Sequence, residues 1–175
     1  MNKIFSESEV IEKLNTARTV RGFFVAAVEA INDSVDALTQ RVFRKDDIAQ
    51  QTAVKPLLNE FGPLGTLKVR LKLLFGIGIL PEDIYHDIED IVEFKNRLNQ
   101  DAQEYDFTDN KVINSLKSLR LINRAGVIPL ELFENRAEED TITQQRKLDI
   151  IKSGLSLAIV DICVQLNKYR SPKAL

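Results

Sequence analysis

The stretch from Phe61 to Gly78, FGPLGTLKVRLKLLFGIG, sets Lys68, Arg70 and Lys72 at every second position, with Gly62 and Gly65 before them and Gly76 and Gly78 after. Glycines beside cations can cradle an anion, because backbone amides and positive side chains converge where no Cβ intrudes. A helix beginning near Leu64 would place Gly65 at its N-terminus and Lys68 and Lys72 on one polar strip, making these three a candidate anion site. The pattern is not a Walker loop, which needs Gly-x-x-x-x-Gly-Lys-Ser/Thr, nor a dinucleotide fingerprint, which follows a strand. Punctuation around a packed helix is the stronger reading. Gly62-Pro63 supplies a turn and a helix start, and Gly76-x-Gly78 a helix end that uses a left-handed residue.

On that helix Leu64, Leu67, Leu71, Leu74 and Phe75 share one broad face, while Val69, Leu73 and Ile77 cover the opposite one. Arg70 falls between apolar positions and is expected to be part-buried. A buried guanidinium is costly unless a carboxylate meets it, and Glu29 or Asp33 on the preceding long helix are the expected partners.

Other clusters are weaker. Val42–Asp47, VFRKDD, is the densest local mixture of charge. With Arg41, Arg44, Lys45, Asp46 and Asp47 it is a candidate docking patch, set against a plain helix end whose cations oppose the dipole and whose acids cap the next helix. His86, Asp90, Glu93 and Arg97 line one polar helical face, which reads as a solvated ion-pair face before it reads as a general base flanked by acids. Lys95 and Asn99 lie on the apolar side of that wheel and are candidates for buried hydrogen bonding. Asp101, Glu104, Asp106 and Asp109 invite a metal, but a calcium loop needs a central glycine that this stretch lacks. Cys163 sits on a densely apolar helix and reads as core.

Composition narrows the chemistry further. One cysteine and one histidine leave no internal disulfide and no multi-histidine zinc site within the chain. With 24 basic and 26 acidic residues, no domain-wide positive field gathers nucleic acid. Lys117, Arg120 and Arg124 in KVINSLKSLRLINRAG are the only modest candidates for a recognition helix, and their leucines and isoleucines look committed to a core. No cofactor or metal is predicted.

The elements that must position these residues are helices. Ser6-x-x-Glu9 has the form of a capping box ahead of a short helix. Val20, Phe24, Ala27, Ile31, Val35, Leu38 and Val42 recur at three and four for about six turns, which predicts a long central helix. A helix around Ile48–Leu58 contains Pro56, which removes a backbone donor and is expected to kink it or start a fresh turn. Another runs from Pro81 to about Asp101, and a shorter one, capped by Thr108 or Asp109, reaches about Leu121. NRAGVIPLELFENRAEED reads as an irregular connection. The seam through Leu148, Ile151, Leu155, Ile159, Ile162, Leu166 and Tyr169 predicts a long C-terminal helix central to the packing. The fold class is therefore all-α, a single-domain bundle of about six or seven helices over 1–175 with a long central and a long C-terminal helix. The N-terminus lacks a signal-peptide core and no run is long enough to span a bilayer, so a cytoplasmic location is expected.

With these segments in view, the sequence resembles the mannitol operon repressor (MtlR) family. The matching text is TVRGFFVAAVEAINDSV, VFRKDD, AVKPLLNEFGPLGTLKVRLKLLFGIGI and EFKNRLNQDAQEYDFTDN, in order between Thr19 and Asn110. The resemblance implies an all-helical cytoplasmic bacterial protein that negatively regulates mannitol uptake and utilisation genes, with no catalytic residues. Near-neutral charge and the missing recognition helix point to repression through a protein partner, either a DNA-binding regulator or a component of the sugar phosphotransferase system. Direct DNA binding is the runner-up, and a homo-oligomer is compatible with the apolar seams. A helical enzyme is the reading from another class. RLNQD at Arg97–Asp101 faintly resembles the HEPN ribonuclease motif but lacks its histidine, and no pair of acids stands out for a carboxylate-based hydratase.

Overall fold

The computed structural model describes residues 6–43, 47–120 and 141–169, and among these it has seven helices and no strand. Helix α1, Glu7–Thr16, starts at a complete capping box: the Glu9 amide donates to Ser6 Oγ, and the Ser6 amide to the Glu9 carboxylate at 2.8 Å. Helix α2, Val20–Val42, is capped by Thr19, whose hydroxyl accepts from the Gly22 amide at 3.0 Å.

Helix α3 runs without a break through Asp47–Ala49, the wide π-type turns Gln50–Val54 and Lys55–Leu58. Pro56 has no amide hydrogen, and just before it the Lys55 amide reaches back five residues to the Gln50 carbonyl, which widens the coil. The kink or fresh turn expected at Pro56 takes the form of this widening, after which Lys55–Leu58 begins a fresh α-helical turn. Helices α4, Leu67–Gly76, and α5, Glu82–Gln100, follow, then α6, Asn110–Lys117, with Asp109 at its N-terminal boundary. Helix α7, Thr141–Lys168, closes the described structure. The irregular connection read at 123–140 lies outside the described residues.

Helix α2 is the axis of the core. It packs against α7 and α5, with α1 and α4 on its flanks. Phe23, Phe24, Ile31 and Leu38 on α2 are almost completely buried. The Phe24 ring meets Phe94 of α5 edge-on at 4.7 Å, and Phe23 meets Phe107 edge-on at 5.5 Å, pinning the α5–α6 connection to the same core. Each such side chain contributes about 1.5–3 kcal/mol by leaving water.

Two boundaries differ from expectation for reasons outside any single helix. Helix α4 begins at Leu67 and not near Leu64, because the Leu64 amide donates to the Leu57 carbonyl and the Gly65 amide to the Gly62 carbonyl, both at 2.9 Å. These bonds fold the connection back on α3 so tightly that a Cβ on Gly62 would lie 2.3 Å from the Pro56 carbonyl oxygen. Pro63 therefore occupies this turn, not a first helical turn. At the other end of α4, Gly78 takes φ +75°, and the Ile79 and Leu80 amides both return to the Leu74 carbonyl, at 3.0 and 3.1 Å. Helix α6 stops at Lys117, short of Leu121, and the chain is re-anchored where the Arg120 amide donates to the Asp87 carboxylate at 2.8 Å.

Candidate partner-docking surface

Helix α4 is amphipathic in an unusual sense, since it has two apolar faces and, among the described residues, one neighbouring layer. Arg70, Leu71 and Leu74 are buried against α2 and α5. Val69, Phe75 and Ile77, expected to be packed, are 41%, 38% and 48% exposed. A ten-residue helix at the edge of the bundle can bury one face only. Phe61 in the preceding turn is 94% exposed and Ile48 on α3 is 81% exposed. Five of the eight large exposed hydrophobic side chains among the described residues thus fall between Ile48 and Ile77, a concentration along one stretch of the chain. Helix α3 itself buries only Val54.

One of these side chains is anchored. Phe75 stacks on Tyr85 of α5 at 4.4 Å with a 13° interplanar angle, and the Tyr85 hydroxyl donates to Glu89 at 2.7 Å. That bond to a carboxylate, with burial and the charge of Glu89, raises the Tyr85 pKa. His86 meets the same ring edge-on at 5.3 Å. An exposed aromatic whose rotamer is already fixed loses little entropy on binding, the property of an interface anchor. The rim has both signs, with Lys68 and Lys72 exposed on α4 and Glu82 exposed on the first turn of α5.

Arg70 fastens this helix to the core. Its Nη1 donates to Asp36 Oδ1 at 2.6 Å and its Nη2 to Asn32 Oδ1 at 2.9 Å, both on α2. The carboxylate it meets is Asp36, not Glu29 or Asp33. Glu29 lies two turns nearer the N-terminus, exposed, and pairs with Lys13 at 2.8 Å. Asp33 is half-buried one turn short of the contact, and its pKa is raised by desolvation first, with Glu29 and Asp36 adding to it.

The remaining sequence candidates separate. The Gly65 amide is spent on Gly62, so Gly65 brings no free donor to Lys68 and Lys72, and the three do not form an anion cradle. Arg41 is not an open docking cation, because its guanidinium caps the end of α7 through the Leu166 and Asn167 carbonyls at 2.8 and 3.1 Å. Arg44, Lys45 and Asp46 lie outside the described residues, as does Arg124, and Asp47 is exposed at the start of α3. Lys95 is half-buried and Asn99 exposed. The packed face of α5 shifts from Ile84 and Ile88 toward Phe94 and Leu98 along its length, which leaves Asn99 outside the core. Instead the buried polar residue on α5 is Asp87, fully buried and holding the Arg120 amide.

The acidic group after α5 is held by protein partners. Asp101 accepts from Lys111 Nζ and Tyr105 Oη, both at 2.6 Å, and these bonds, with one from the Gln103 amide, hold its carboxyl well below the usual range. Glu104 pairs with Arg21 at 3.2 Å, and Asp109 accepts from the Asp106 amide at 2.8 Å. Among the described residues no group of His, Cys, Asp or Glu is arranged to hold a metal.

Fold and surface together describe an all-helical protein that exposes large apolar side chains on α3, α4 and the turn between them, beside charged residues of both signs. Residues 6–167 match the family model described as mannitol repressor, and the chain belongs to that family. The mannitol operon repressor of Escherichia coli strain K12 is 36% identical over 162 residues, covering 92% of this chain and 82% of the relative. Fumarase E of the same strain is 23% identical over 163 residues, covering 92% and 96%. In the X-ray structure of the MtlR–HPr complex from Escherichia coli, the matching chain has a TM-score of 0.81 at 33% identity, covering 91% of this chain and 97% of that one. No helix among the described residues is long and apolar enough to cross a membrane.

Proposed function

We propose that this chain is a cytoplasmic, non-catalytic, single-domain negative regulator of mannitol uptake and utilisation genes that acts through a protein partner of the sugar phosphotransferase system. The relative solved in complex with HPr carries this reading, supported by the 36% identity to a mannitol operon repressor. The α3–α4 face is where we place docking, with Phe61, Val69 and Phe75 as its apolar centre. Burying these side chains removes apolar surface from water, Phe75 being already held by Tyr85, and the neighbouring charges set orientation and encounter rate. Direct DNA reading is not part of the proposal. The formal net charge is −2, and the one arginine of the suspected recognition stretch that is described at its end, Arg120, lies beside the buried Asp87, with Nη1 at 3.8 Å from its carboxylate. A mobility-shift titration with mannitol-promoter DNA tests this point. The purified protein alone gives no sequence-specific shift, and a specific shift would overturn the indirect mechanism.

A further inference from the structure

Helix α7 carries the other exposed apolar group. Ile142, Ile150 and Leu157 are 64%, 37% and 54% exposed. With Arg146, Ser153 and Asp161, all exposed, they recur at spacings of four, four, three, four and four, which is one continuous stripe along the outer side of the helix. The order along it is apolar, cation, apolar, small, apolar, anion.

We propose that this stripe pairs with the same stripe of a second copy, antiparallel, about a two-fold axis midway between Ser153 and Gly154. In an isologous contact, residues equidistant from the axis on opposite sides face each other. Ile150 and Leu157 are equidistant from that point, and so are Arg146 and Asp161. A single axis therefore matches apolar with apolar and cation with anion, each match made twice. Ile142, at the outer end, faces the amide-bearing Gln165. The small side chains at the centre let the two backbones approach within ordinary helix-packing distance, about 8–10 Å. Asp161 Oδ2 already accepts from Gln165 Nε2 at 2.6 Å, which leaves Oδ1 for the second copy's arginine. Asp149, also near the stripe, is held by Gln145 Nε2 at 3.0 Å. The inner side of α7, with Ile151, Leu155 and Ile159, stays in the bundle core, so pairing exposes nothing.

Sedimentation equilibrium of the full chain over a range of concentrations tests the pairing. The wild type forms a dimer, Arg146→Asp and Asp161→Arg each lose it, and the double exchange restores it, because both contacts are then re-formed with signs reversed. Wild type that is monomeric throughout, or a double exchange no better than either single, overturns the proposal. Circular dichroism confirms that each variant is folded, and an independent arm uses Ser153→Cys. Because Cys163 is buried, the new thiol is the one available to oxidation, and it forms a covalent dimer faster than Asn114→Cys on α6. Equal rates for the two variants would also overturn the pairing.

Discussion

Replacing Asp36 by leucine tests how α4 is held to the bundle. The Arg70 and Asp36 side chains are only 7% and 14% exposed and meet at 2.6 Å. Asp36 Oδ2 also accepts from Gln40 Nε2 at 2.9 Å. Without the carboxylate, the guanidinium stays buried with Asn32 as its remaining side-chain bond partner on α2 and its Nε already unpaired. Removing one member of a buried pair costs about 3–5 kcal/mol, because the survivor is desolvated without compensation. For a chain of this size about 2–4 °C of Tm follows each kcal/mol, so Asp36→Leu lowers Tm by about 6–20 °C. The double variant Asp36→Leu, Arg70→Met removes both charges and recovers most of that loss. Urea unfolding followed by circular dichroism measures each corner of the cycle. A loss below about 1 kcal/mol for Asp36→Leu, the range of a solvated pair, would refute the claim that the contact is desolvated.

Three further outcomes follow from the same contacts. Asp87→Ala strips the Arg120 amide of its buried acceptor and costs about 2 kcal/mol, read as a lowered urea midpoint with unchanged slope. The Cys163 thiol, pushed up to about 11 by desolvation, is protonated at neutral pH. Its folded pKa lies above its unfolded one, so its contribution to stability is full below the unfolded value near 9 and is lost as pH rises toward 11. Alkylation at pH 8 accordingly proceeds only as fast as the protein opens, and a rate equal to that of a free thiol would contradict this. Gly62→Ala, whose Cβ would press on the backbone of α3, destabilises the protein, and an unchanged Tm would show that the turn yields.

The long elements are legible in the sequence because their periodicity and caps are local. Ser6 and Glu9 announce α1, and the three-four spacing from Val20 announces α2. Arg70 is legible as a buried cation from its place between leucines, but its partner is not. Glu29, Asp33 and Asp36 stand on one side of α2 at successive heights, and the choice among them depends on where α4 crosses, which a helical wheel does not encode. The start of α4 is hidden for a similar reason, since it is set by hydrogen bonds between Leu64 and Leu57 across a turn. The proposed docking face is the least legible. The wheel shows two apolar faces on α4, and only the number of neighbouring layers decides that Leu71 and Leu74 are core while Val69 and Ile77 are surface. Asp87, embedded in an isoleucine stripe, is the buried acid that its apolar surroundings could have signalled.

The proposed function rests on a phosphotransferase-system protein docking on the α3–α4 face. Calorimetric titration of purified HPr into the wild type and two surface variants tests it most directly. The wild type is expected to bind, Val69→Asp, Phe75→Ser to bind about thirtyfold more weakly or not at all, from a loss of about 2 kcal/mol or more, and Leu157→Glu on α7 to bind as the wild type does. Equal affinity for wild type and the α4 variant, or loss confined to the α7 variant, would contradict it.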